Sequence, residues 1–262
     1  MNHPLGGRTA LITGAGRGLG RATALNLAAD GATVVLVGRK DAPLRDTARE
    51  IEDAGGTARV ITADLGRQDE LQRLTEQAGS VDILINNAAA EEQWAGIVGA
   101  DLANWRGVFD INVFAPIALI GAFGAGMSAR GWGVIVNMSS IGGSHPAPFL
   151  GTYAASKAAL DMVTRVAAME LAGSGVRVNG IASGITDMGK TYELLPPSLL
   201  ADLGRIIPAK RLGGERDIAG MVSFLCSEAA EYVNGQTLTV DGAMTAGLWA
   251  VSSIMAAGLT EG

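Results

Sequence analysis

The chain has 262 residues, of which 48% are hydrophobic and 18% charged: enough apolar mass for a sizeable core, and a composition unlike that of a disordered chain. A net charge of −6 with no basic run speaks against nucleic acid or an anionic membrane as partner. The single cysteine, Cys226, excludes an internal disulfide, and two distant histidines, His3 and His145, give no metal-ligand spacing, so no metal is expected.

Met1 to Gly7 shows no basic region followed by an apolar one, so no signal peptide is read and a reducing, cytoplasmic setting is expected. Short β-branched runs then alternate with longer amphipathic segments. Strands are predicted at Arg8–Thr13, Thr33–Val37, Thr57–Thr62, Val81–Asn86, Gly133–Met138, Val176–Ile181 and Thr237–Val240. Helices are predicted at Gly18–Ala29, Ala42–Ala54, Gln68–Ala78, Leu102–Ala129, Thr152–Ala172 and Glu215–Ser227. Ile111–Met127 is the most membrane-like stretch, but Asn112, Pro116 and three glycines mark it as a buried helix. Strands this apolar are buried on both faces. The alternation therefore predicts a doubly wound α/β fold: a parallel sheet of about seven strands with helices on both faces, Rossmann-type, in a single domain over residues 1–262. Asp187–Arg211, holding Pro196, Pro197 and Pro208, breaks the pattern and reads as a mobile flap. Residues 243–262 form an apolar tail.

The first strand runs into Thr13-Gly14-Ala15-Gly16-Arg17-Gly18-Leu19-Gly20 and then a helix. Bare glycines let a backbone turn tightly and approach a pyrophosphate, whose charge suits a helix N-terminus. The spacing is T-G-x-x-x-G-x-G rather than G-x-G-x-x-G, and an ordinary tight turn is the alternative. The second strand ends Val37-Gly38-Arg39-Lys40, with no carboxylate at Gly38 to grip a ribose hydroxyl. Arg39, with Arg17 in the loop, suits the 2′-phosphate of NADP(H) over NAD(H), although Asp41 stands close by. Further on, Tyr153-Ala154-Ala155-Ser156-Lys157 places a phenol and an ammonium on one helix face. The ammonium favours the phenolate, bringing tyrosine toward acid–base work at neutral pH. Ser140 ends a buried strand 13 positions earlier, at the sheet edge where such folds bind ligands, and its hydroxyl suits a substrate oxygen.

These motifs, with Asp64-Leu65, Asn86-Asn87-Ala88, Asn112, Asn179, Gly235-Gln236 and Val240-Asp241-Gly242, resemble the short-chain dehydrogenase/reductase family from about Gly7 to Gly242. The resemblance implies Tyr153 as general acid–base, Lys157 as the group lowering its pKa and holding the nicotinamide ribose, Ser140 as carbonyl-orienting hydroxyl, and Asn112 as holder of a relay water. It places the cofactor along Gly14, Arg17, Gly18, Leu19 and Gly20, beside Arg39, Asp64 and Leu65. Asn87, Ala88, Gly184 and Thr186 would line it, and Asn86 would buttress the fold. Two departures stand out: Asn-Asn-Ala-Gly reads Asn86-Asn87-Ala88-Ala89, and Pro-Gly reads Ser183-Gly184, in a loop two residues shorter than the common form.

Trp94, His145, Phe149, Met188, Tyr192 and Leu195 are expected to wall the substrate pocket, with Ser140 and Tyr153 at its base. They favour a mid-sized apolar or aromatic ketone or alcohol. NADPH-dependent reduction of such a ketone is the leading expectation. An NAD-dependent alcohol dehydrogenase and a non-catalytic dinucleotide-binding regulator are the rivals, and imine reduction is a further chemistry for the same site. Helices rich in Ala, Gly and Met resemble those that pair across two-fold axes in the family, implying a homotetramer.

Overall fold

A computed structural model of the chain describes residues 3–90, 94–187 and 197–247, the side chains of 197–201 excepted. Seven parallel strands lie in the order β3-β2-β1-β4-β5-β6-β7. They are β1 (Thr9–Thr13), β2 (Thr33–Gly38), β3 (Thr57–Thr62), β4 (Ile83–Asn86), β5 (Gly133–Ser140), β6 (Val176–Ser183) and β7 (Thr237–Val240). Every strand pair is parallel, so all carboxyl ends share one edge. The order reverses between β1 and β4, and a crevice opens at such a switch point.

Alternation along each strand splits the core in two. Ile12, Leu36, Ile85, Val136 and Ile181 face α1 (Gly18–Ala29), α2 (Asp41–Asp53) and α8 (Glu215–Cys226). Their neighbours Leu11, Val35, Leu84, Ile135 and Val178 face α3 (Gln68–Ala78), α5 (Ala115–Arg130) and α6 (Gly151–Leu171). The period of two thus loads both faces with β-branched and leucine side chains.

Two segments differ from the sequence pattern. The helix expected over Leu102–Ala129 is divided into α4 (Leu102–Phe109) and α5 by a π-helical turn, Asp110–Phe114. Pro116 explains it: proline has no N–H to give the Asn112 carbonyl four residues back, and its ring crowds that carbonyl. The ladder widens instead, Ala115 N bonding Asp110 O five residues back. The run Leu102–Arg130 is by length and composition able to cross a membrane, but it packs in this fold against α3, α6 and the sheet. The proline-rich stretch expected as a flap contains a helix, α7 (Pro197–Ile206).

A line of buried polar groups runs through the sheet toward the carboxyl edge. Asn86 Nδ2 donates to Asn137 Oδ1 at 2.8 Å, and Asn137 Nδ2 donates to Thr164 Oγ1 on α6 at 2.8 Å. Asn179 donates to Val233 O at 2.7 Å and accepts from Gln236 N at 3.0 Å, tying β6 to the turn before β7. Asn137 is fully buried, so truncating it strands two polar partners and leaves a cavity. Asn137→Ala should cost about 2–4 kcal/mol, read as a fall of several degrees in the thermal midpoint.

Candidate active site

The carboxyl ends of β1, β4, β5 and β6 bring together most of the residues singled out in the sequence. At β1, Gly14 takes φ +69° and Gly18 φ +54°, conformations that a side chain resists. A Cβ at Gly20 would lie 2.3 Å from Gly14 O and 2.5 Å from Asn87 Nδ2. The loop can therefore close onto α1 only as bare backbone. Thr13 Oγ1 accepts from the backbone N–H of Asn87 and Ala88 at 2.9 and 3.0 Å, and Asn87 Nδ2 donates to Thr13 O at 2.8 Å. Asn87, expected at the cofactor, thus braces the glycine loop. These residues fit a dinucleotide: an open backbone turn at the N-terminus of a twelve-residue helix, with Arg17 exposed at the cap.

Beside this loop, Arg39 and Lys40 are exposed at the end of β2. Asp41 is occupied by Arg45, Oδ2 to Nε at 2.5 Å along α2. Asp64 accepts from Gly66 N through Oδ1 at 3.0 Å, while the Leu65 side chain is buried in the core with α3 and α5. Leu19 packs on the other core.

At β5 and α6 the acid–base candidates converge. Ser140 Oγ accepts from Gly142 N at 3.1 Å. Gly142 has Ser140 Oγ and the Tyr153 ring on either side, 3.4 and 3.7 Å from where its Cβ would be. Lys157 is 3% exposed, its Nζ donating to Met138 O at 2.7 Å and lying 5.5 Å from the centroid of the Tyr153 ring. Burial pulls the ammonium down to about 8, against the opposing charge of Asp161. The π turn aims Asn112 inward: its Oδ1 accepts from Ala90 N at 2.9 Å and its Nδ2 donates to Ser156 Oγ at 3.0 Å. Ser156 Oγ in turn donates to Tyr153 O at 2.7 Å, so the turn is tied to the helix carrying the phenol.

At β6, a Cβ on Gly184 would lie 2.7 Å from Asp241, so the close approach of the β7 end demands glycine. Thr186 is buried and its hydroxyl donates to Gly184 O at 3.1 Å. Of the expected pocket wall, Trp94 and Phe149 are exposed near the rim, and His145 Nδ1 shares a 2.9 Å hydrogen bond with Ser144 Oγ. Met188, Tyr192 and Leu195 lie outside the described residues, as does the tail from Leu248.

Two residues escaped the sequence reading. Ser156 stands inside the quoted Tyr-Lys motif, where its spacing to Asn112 is invisible. Asp161, one turn beyond Lys157, is half-buried and accepts from Thr237 Oγ1 of β7 at 3.3 Å. Burial pushes its carboxyl up, against Thr237 and the charges of Lys157 and Arg165. An acid at i+4 from a lysine was the available signal.

The arrangement can hold a carbonyl oxygen between a hydroxyl and a phenol, with a buried cation behind the phenol. It also has a cost. Between about pH 8 and the ordinary lysine value of 10.5, the unfolded chain keeps a proton that the folded chain sheds, so this group adds stability as pH rises through that window. Lys157→Met should therefore raise the thermal midpoint at pH 7 and flatten its rise toward pH 10.5, which melts of the ligand-free protein across that range would measure.

The family described as Enoyl-(Acyl carrier protein) reductase matches residues 14–245. The chain is 36% identical to 3beta-hydroxysteroid dehydrogenase 1 of Eggerthella lenta, over 94% of this chain and 96% of that protein. It is 38% identical to cis-4-hydroxycyclohexanecarboxylate dehydrogenase of Sinomonas cyclohexanicum, over 94% of this chain and all of the other. Among solved structures, an NAD(P)-dependent gluconate 5-dehydrogenase, so described, from Beutenbergia cavernae with bound NADP superposes with a TM-score of 0.88. The two are 39% identical over 94% of this chain and 100% of that one.

Proposed function

Because the chain belongs to the short-chain dehydrogenase/reductase family and is an NAD(P)-dependent oxidoreductase acting on CH–OH and C=O groups, we propose that it reduces a mid-sized apolar or aromatic ketone to a secondary alcohol with NADPH. The convergence of Ser140, Tyr153 and Lys157 beside the glycine loop carries this reading. A nicotinamide dinucleotide bound along that edge supplies the hydride. Gly14, Gly18 and Gly20 would offer its pyrophosphate bare backbone, and Leu19, Ala88, Gly184 and Thr186 would line it. Asp64 would stand toward the adenine, while Leu65 is held in the core. Ser140 holds the substrate oxygen in place, and Tyr153 gives that oxygen its proton. Lys157, cationic behind the ring, favours the phenolate left behind. Asn112 stands between the β4 loop and Ser156, where it steadies this pair and offers a route for proton return. General acid–base catalysis by a positioned group is worth about 10²–10⁴ in rate. Tyr153→Phe should lose at least that in kcat while still quenching with NADPH in a fluorescence titration; an unchanged kcat would remove Tyr153 as proton donor, and a parent chain that binds NADPH but turns nothing over would point to a dinucleotide-binding regulator.

Charge at the end of β2 supports NADPH over NADH. Arg39 and Lys40 stand free of Asp41, which Arg45 occupies, and Arg17 is exposed across the loop. The relative from Beutenbergia cavernae carries NADP. The ratio of kcat/KM for NADPH over NADH should exceed one and fall about tenfold in Arg39→Ala, the effect of one charged phosphate contact. A preference for NADH in the parent chain would instead favour an NAD-linked alcohol dehydrogenase.

The names of the relatives, a hydroxysteroid dehydrogenase and a hydroxycyclohexanecarboxylate dehydrogenase, suit an alicyclic body. Phe114 at the end of the π turn and Ile117 on α5, with Met162, Val166 and Met169 on α6, leave exposed apolar side chains that suit two-fold pairing within a homotetramer. The acidic charge and lone buried cysteine suit a cytoplasmic setting.

A further inference from the structure

Phe149 has a backbone conformation that a phenylalanine resists. Its φ is +69°, one of three such non-glycine values among the described residues, and a bulky side chain there is strained. The main chain around it is pinned. Ala95 N donates to Phe149 O at 3.1 Å, Leu150 N donates to Ala147 O at 3.3 Å, and Ala95 bridges Leu150. Glycine or asparagine would meet this demand at lower cost.

Packing does not offset the strain, because Phe149 is 61% exposed. It stands four residues before Tyr153, at the entry to α6. Across the bridge lie Trp94 and Ile97, 77% and 66% exposed, and Ile97 Cδ1 rests against Gly151, 2.8 Å from where its Cβ would be. Neither 94–100 nor 144–152 contains an Asp, Glu, Lys or Arg. This lip therefore has an apolar surface with no lysine or arginine in it, and His145, hydrogen-bonded to Ser144, is the titratable side chain in these two segments.

We propose that Phe149 is a specificity-determining residue, whose ring, with Trp94 and Ile97, receives the uncharged ring body of the ketone while its carbonyl lies at Tyr153. This rests on the ketone-reductase reading above. A strained conformation that repays nothing in the free protein is repaid on binding, when the ring leaves water against the substrate. The lip discriminates by apolar area, so it raises KM for substrates that lack the ring and leaves kcat nearly unchanged.

The test uses the full chain with NADPH and two ketones, 4-phenylcyclohexanone and butanone, for the parent, Phe149→Gly and Phe149→Asn. Both replacements accept a positive φ, so two independent folded variants lacking the ring are available. The ratio of kcat/KM for the ring ketone over butanone should fall about tenfold in both, mainly through KM, with a thermal midpoint equal to or above that of the parent. An unchanged ratio would overturn the role of Phe149 and leave the reductase reading intact. A midpoint several degrees lower with equal losses on both ketones would make Phe149 a structural residue and overturn the proposal too. If the parent reduces neither ketone with NADPH or NADH, the ketone-reductase reading itself falls.

Discussion

The ammonium of Lys157 is taken out of water between β5 and α6, and much of the surrounding structure exists to tolerate it. Burial draws its proton affinity down to about 8, and Met138 O and Asp161 are what the fold sets against that cost. A buried charge is destabilising unless partners offset its lost hydration. Here it lies beside the Tyr153 ring, where a cation favours the phenolate. Stability yields to chemistry at this point, as it does at sites whose groups must change protonation state.

The neighbouring polar groups keep this pair in register. Asn112 and Ser156 join the π turn to α6, while Asn137 and Thr164 join β5 to the same helix from below. Thr237 reaches Asp161 from β7, so the last strand meets the back of the site although no catalytic candidate lies on it. Each partner is a short amide or hydroxyl side chain, and each satisfies a polar group of its neighbour. Rigid strands and helices therefore set the front of the site, and a relay of amides and hydroxyls sets its depth.

The glycine loop obeys a different constraint. It is fixed by contacts that a side chain would destroy, Gly20 against Gly14 and Asn87 above all. Phe149 is its opposite: a side chain kept where glycine would be easier. In the proposed function the bare backbone faces the cofactor and the apolar ring receives the substrate.

Much of this was legible in the chain alone. Strand and helix order followed from local periodicity, since alternation of two and of 3.6 registers in neighbouring residues. The candidates at Gly14, Ser140, Tyr153 and Lys157 were legible because motif spacing maps onto one helix face or one strand end. The tertiary structure decided what depends on contacts distant in sequence. Pro116 opens the helix at Asn112, Asn87 turns to brace the loop, Leu65 goes to the core, and Asp161 meets β7 across 76 positions. Burial, which moves the Lys157 proton, and the bridge from Ala95 that holds Phe149 left-handed belong to no local pattern. A linear pattern records which residues can form an element; only the packed sheet determines which of them share a surface, and therefore which charges and rings meet.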